Sequence, residues 1–208
     1  MVKSDPSDRG PRRLPSPERR AAILRAALPR FAAGGYSGTT TRDLARAAGV
    51  TEPVLYRHFP SKADLFAEVL RGVEERIVER LAEAVRGVEG VRGRLSALAA
   101  ALEPTVAALA DEFRVLNGAA ATRSDVATAA AVRATYARLG TFLSQAVRTK
   151  DLRRGLDPVT VGHFLLEVGL GASLVRPLGV PVVARTGYGP QVVRLLAFAL
   201  EARPATPR

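Results

Sequence analysis

Cysteine is absent from this chain of 208 residues. Disulfides, thiolate metal sites and thiol catalysis are therefore excluded. Tryptophan is also absent, methionine occurs once, and aromatic residues make up only 5% of the sequence. Packing falls to alanine and leucine, which are strong helix formers. The aromatic and β-branched alternation of half-buried strands is scarce. Only two histidines occur, His58 and His163. No metal-ligand cluster and no phosphate-cradling loop accompanies them, so the sequence carries no enzyme signature, no metal and no cofactor. No run of about 18 apolar residues reads as a membrane span. The N-terminus is polar and proline-rich, without the apolar centre of a signal peptide. We expect a cytoplasmic chain with no membrane partner; a reducing compartment is compatible with these features but not demanded by them.

Lysine is scarce as well. Only Lys3, Lys62 and Lys150 occur among 31 basic residues, and the formal charge is +11. Residues 1–60 carry 11 basic and 5 acidic residues, a net of +6; residues 61–208 carry 20 and 15, a net of +5. The excess is denser in the first third, where it favours a polyanionic partner. A general arginine bias of the coding sequence accounts equally well for the remainder.

Hydrophobic residues make up 47% of the chain, enough for a substantial core, and their periodicity is helical throughout. We read an all-α fold of about nine helices. Residues 1–17 mix proline, serine and charge and read as a disordered basic arm. Arg9, Arg12 and Arg13 there suit either a solvated tail or a minor-groove contact. A first helix follows over residues 18–33, with Ile23, Ala27, Leu28 and Phe31 on one face. Pro29 predicts a kink in it, and Gly34-Gly35 a stop. A second helix starts near Thr41, where Thr40 stands three residues before Asp43 in capping-box spacing. Gly49 ends it. Thr51 reads as the cap of a third helix over residues 52–58, with Pro53 tolerated in its first turn. Ser61, again with an acid three residues on, caps a long fourth helix over residues 62–85. Five further helices follow at about residues 91–110, 113–123, 125–149, 158–176 and 189–202.

The two short helices joined by a glycine turn have the layout of a helix-turn-helix. The residues Arg20, Ile23-Leu24, Ala27, Phe31, Gly34-Gly35-Tyr36, Thr39 to Ala45, Ala48-Gly49-Val50, Leu55 to Phe59, Ser61-Lys62 and Leu65 together resemble the TetR family of one-component transcriptional regulators. The resemblance covers about residues 18–66. It implies a DNA-binding domain at residues 18–66 and a ligand-binding and dimerisation domain at residues 67–203; the polar residues 204–208 read as a flexible tail. Glu52-Pro53 departs from the small residue or glycine often found at that point in such regulators.

The motif assigns roles to its side chains. Thr40, Thr41 and Arg42 sit at a helix start that suits a phosphate, and Thr40 also reads as a plain cap. Glu52, Pro53, Val54 and Arg57 lie on or near the exposed side of the recognition helix. Glu52 suits a cytosine amino group, and Pro53 or Val54 a thymine methyl; Glu52 reads equally well as a simple first-turn acid. Tyr56 and His58 match positions that contact the DNA backbone in the family. Lys62 reads as a phosphate clamp. Leu44, Ala45, Val50, Leu55, Phe59 and Leu65 read as scaffold.

The family also implies an effector pocket. Its candidate lining is Phe113, Leu116, Tyr136, Leu139, Phe142, Leu143, His163 and Leu166, each of which also reads as plain core. Arg114, Arg123 and Arg133 suit an anionic ligand or a salt-bridged face. The last two helices are apolar on more than one side and need two partners. We read Leu165, Val168, Gly169, Ala172, Val175, Val192, Leu195, Leu196 and Ala199 as a two-fold dimer interface. The expected protein is a repressor that binds a palindromic double-stranded operator as a homodimer and is released by a largely apolar small molecule. An activator, or a nonspecific architectural DNA-binding protein, is the alternative.

Overall fold

The computed structural model describes residues 16–121, 126–175, 178–181 and 188–202. The basic arm with Arg9, Arg12 and Arg13, Arg123, most of the 177–188 loop and the C-terminal tail lie outside the described residues. Nine helices are present among the described residues: α1 (Ser16–Gly38), α2 (Thr41–Ala47), α3 (Glu52–His58), α4 (Lys62–Val85), α5 (Val91–Ala108), α6 (Ala110–Ala121), α7 (Val126–Val147), α8 (Pro158–Val175) and α9 (Tyr188–Leu200). No strand occurs among them; a single bridge pairs Leu152 with Glu201. The all-α reading holds.

Local chemistry sets the boundaries. Thr40 Oγ1 accepts from the Asp43 amide at 3.1 Å while the Asp43 carboxylate accepts back from the Thr40 amide at 3.3 Å, a complete capping box. Ser61 caps α4 through the Asp64 amide at 3.1 Å. Thr51 is different. It stands in extended backbone before α3, but its side chain makes no capping bond. Pro53 in the first turn has no N–H, which removes one of the donors a cap would serve. Pro29 is also unlike the expectation. Helical backbone continues through it on an exposed face, and the only non-helical residue of α1 is Gly35, at φ 64°. The left-handed turn falls on glycine, where it carries no Cβ penalty.

The helices pack into two buried clusters. The larger joins α1, α2 and α3 to α4, α6 and α7, and runs without interruption from Ile23 to Leu139. Three of the scarce aromatic residues meet within it: the Phe66 ring lies edge-on to Phe31 at 4.9 Å and tilted against Tyr36 at 5.0 Å. The smaller cluster gathers Val91, Leu95, Val147, Val161, Val193, Ala197 and Leu200 at the far end. There the connection after α7 clamps two helix ends. The Asp151 carboxylate accepts the first amide of α5 at 3.0 Å, and the Arg153 guanidinium donates to the Phe198 and Glu201 carbonyls at the end of α9.

α7 and α8 cross closely at two glycines. A Cβ built on Gly162 would stand 2.2 Å from Ser144 Oγ and 2.6 Å from the Gly140 carbonyl, and one on Gly140 would stand 2.4 Å from the His163 ring. Bare backbone on both sides brings the axes together. By length and composition α8 is apolar enough to cross a membrane, at mean hydropathy 1.4, although Glu167 and His163 interrupt its apolar run. In this fold one side of α8 lies against α7 and a cavity.

Candidate DNA-binding surface and effector cavity

The helix-turn-helix is built from α2 and α3. Leu44, Ala45, Leu55 and Phe59 are buried beneath it, as scaffold. On the outer side Pro53, Tyr56 and Arg57 are exposed and Val54 and His58 half-buried. Tyr56 keeps 44% of its surface open, high for a ring in a chain with so few. Thus α3 buries one stripe and presents the other.

Three of the residues expected to touch DNA also make side-chain hydrogen bonds within the fold. Glu52 accepts the Thr41 hydroxyl at 2.8 Å and lies 3.7 Å from the Arg42 guanidinium. Its carboxylate therefore fastens the start of α3 to the start of α2. Thr40 donates its hydroxyl proton to Asp43 at 2.5 Å. This bond holds the Asp43 carboxyl below the usual carboxylate range, with Arg46 and Arg30 adding a smaller pull. Both threonine hydroxyls are thus occupied within the fold, while Arg42, although paired with Glu52, stays 78% exposed.

Lys62 is likewise engaged. Its ammonium donates to the Tyr36 carbonyl at 3.0 Å and the Thr39 carbonyl at 3.1 Å, and lies 4.3 Å from the centre of the Tyr36 ring. Thr39 Oγ1 donates to the Gly35 carbonyl at 2.7 Å. Carbonyls at the end of α1, which a helix leaves without partners, are thereby satisfied from α4 and from the α1–α2 turn. An ammonium has three N–H bonds, so one of Lys62's remains. Arg20 was not assigned a role from sequence. It sits 4.8 Å over the Phe59 ring and pairs with Glu68 at 2.7 Å, tying the end of α3 to α1 and α4.

Behind this surface lies a cavity of about 360 Å³ between the two buried clusters. Phe113, Leu116, Leu139, Phe142, Leu143 and Leu166 line it, as expected. Tyr136 and His163 do not. The Tyr136 hydroxyl donates to the Leu116 carbonyl at 2.9 Å, so the phenol bridges α7 to α6, and burial pushes its pKa up to about 12. His163 is drawn to the bare backbone of Gly140. Arg114 pairs with Asp111 one turn away on the surface, and Arg133 is exposed; neither is among the residues lining the cavity.

The residues read as a dimer interface divide. Leu165, Val168, Gly169, Ala172, Val175, Val192 and Leu196 line the cavity of their own protomer. Leu195 and Ala199 face outward, with Leu195 71% exposed. Phe164, Leu174 and Phe198 join the outer apolar face. Ile77 and Leu81 of α4 and Leu95, Leu98, Ala99 and Leu102 of α5 complete the walls and were not assigned from sequence. The signal was there in α5: LSALAAAL is apolar on every side, and a helix apolar all round is covered all round or borders a void.

Comparison with known proteins agrees with this geometry. Residues 23–69 match the family described as "Bacterial regulatory proteins, tetR family". The chain is 33% identical over 144 residues to nucleoid occlusion factor SlmA of Marinobacter nauticus, covering 69% of this chain and 74% of that protein. Its fold is similar to that of FadR from Bacillus subtilis in complex with stearoyl-CoA, at TM-score 0.67 and 17% identity, covering 85% of this chain and 96% of that one. It is also similar to that of AibR in complex with isovaleryl coenzyme A and operator DNA, at TM-score 0.63 and 24% identity, covering 85% and 97%. The chain belongs to the TetR family of DNA-binding regulators.

Proposed function

We propose that this protein is a repressor that grips a palindromic operator as a homodimer and releases it when a small molecule fills the cavity. The carrying observation is the outward stripe of α3, with Pro53, Tyr56 and Arg57 exposed, standing on a core that continues to the cavity wall at Phe113 and Leu116. Pro53 and Val54 meet base edges. Arg42, Tyr56, Arg57, His58 and the remaining N–H of Lys62 meet phosphates, which set register and carry most of the salt dependence. Thr40, Thr41 and Glu52 position these groups. The outer apolar face of α8 and α9 meets a second copy, placing two α3 helices in successive major grooves about 34–36 Å apart. The ligand acts through its unequal affinity for the gripping and released states.

Selection of bound fragments from random DNA tests this reading. Enrichment of one palindrome is the expected result, and recovery without sequence preference overturns it. A promoter–reporter fusion then gives the sign of control: derepression on deletion supports a repressor, and loss of expression supports an activator. A second reading comes from the printed name of the Marinobacter nauticus relative, in which the same surface serves nucleoid occlusion. A chromosome-wide binding map separates the two, since a regulator concentrates at promoters.

A further inference from the structure

Among the described residues lining the cavity none has a polar side chain; all are Ala, Gly, Val, Leu, Ile or Phe. A ligand group that is charged or hydrogen-bonding would be stripped of water there with no described side chain to replace it, which is unfavourable. Tyr136, the nearest hydroxyl expected on the wall, is spent on the Leu116 carbonyl. The wall is also deliberately recessed. Gly169 lines the cavity, and a Cβ built on it meets nothing within 4 Å; the same is true of Gly171. Glycine is a poor helix former, yet Gly169 stands within α8 where a side chain would intrude on the space. Among the lining residues only Gly171 and Val175 are exposed. The opening therefore lies along the C-terminal half of α8, across from Val192 and Leu196 of α9.

We propose that the cavity is a hydrocarbon-chain site: it takes the aliphatic part of an amphiphile, and any polar end stays at the opening by Gly171 and Val175. This deepens, and rests on, the effector reading above. The volume of about 360 Å³ equals about twelve water-sized shares of about 30 Å³ each, room for a chain of roughly eight to twelve carbons. The chemistry of the wall selects for the chain and is indifferent to the head group, so a free fatty acid, an alcohol and the acyl part of a thioester are sources of the same ligand chemistry.

The test is calorimetric titration of the full-length protein with straight-chain alcohols from butanol to dodecanol, with the matching fatty acids, and with coenzyme A with and without an acyl chain. The dissociation constant is expected to fall about fourfold per added methylene, and to stop falling once the chain fills the cavity. Gly169→Leu, and independently Ala99→Leu on the opposite wall, move that stop to a shorter chain; Gly169→Ala, which gains the same helix propensity without filling the space, moves it less. Affinity independent of chain length, or binding of unacylated coenzyme A as tightly as its thioester, overturns the proposal. Parallel anisotropy on the selected operator fragment separates it from the effector reading. Chain binding with DNA still held supports the site and overturns release by ligand; no chain binding, with operator selection intact, overturns the site alone.

Discussion

Lys62 joins a structural duty to a proposed one. Two of its N–H bonds close the end of α1, and the third is the one proposed to meet a phosphate. Lys62→Ala is expected to lower stability by ~1–2 kcal/mol, as charged hydrogen bonds are lost, and to reduce the slope of log affinity against log salt by about one. Thermal melts and salt titrations of operator binding read the two effects separately; a lowered melt with an unchanged slope would leave only the structural duty. Tyr136 gives a pH prediction. Its folded pKa is raised to about 12 by burial, while the unfolded phenol titrates near 10. The folded state therefore holds its proton longer, and this contribution is complete below about pH 10 and is lost as pH rises toward 12. Ultraviolet titration should find one tyrosine ionising late, and Tyr136→Phe should abolish that phase.

At the scale of elements, the α7–α8 crossing is fixed by glycine. Gly162→Ala drives a methyl into Ser144 and the Gly140 carbonyl, where backbone cannot retreat. A loss of about 3 kcal/mol or more is expected by calorimetry, at the upper end of overpacking costs. Gly140→Ala should cost less, because the obstructing atoms belong to the His163 side chain, which can swing aside. The short elements were legible from sequence because their signals are local. Thr40 and Ser61 find their partners three residues on, and α3 falls at residues 52–58 as read. The partners of Lys62 stand 26 and 23 residues away, and Glu52 reaches back 11 residues to Thr41. No periodicity announces such pairings. The same holds for α8 and α9, whose apolar residues are plain in the sequence but whose division between cavity and outer face depends on helix rotation.

For the whole molecule, the exposed face that includes Leu195 and Phe198, at 71% and 69% exposure, is the one proposed to meet a second copy. Leu195→Asp with Phe198→Asp is expected to give monomers by sedimentation at micromolar concentration, with helical content unchanged and operator affinity sharply reduced; a persistent dimer would place the interface elsewhere. The fold class was readable from composition, and the DNA-facing third from its motif. The cavity walls contributed by α4 and α5 were not, since they arise only when distant helices are brought together. The larger core has a consequence for how the protein can be cut. It passes from Ile23 through α4 to Leu139, and α1 lies directly on α6. A fragment ending at residue 66 would thus uncover the side of α1 that α6 shields, and should fail to melt cooperatively on its own. The gripping surface and the cavity wall are parts of one cooperative body, and heat should dissolve them in a single step.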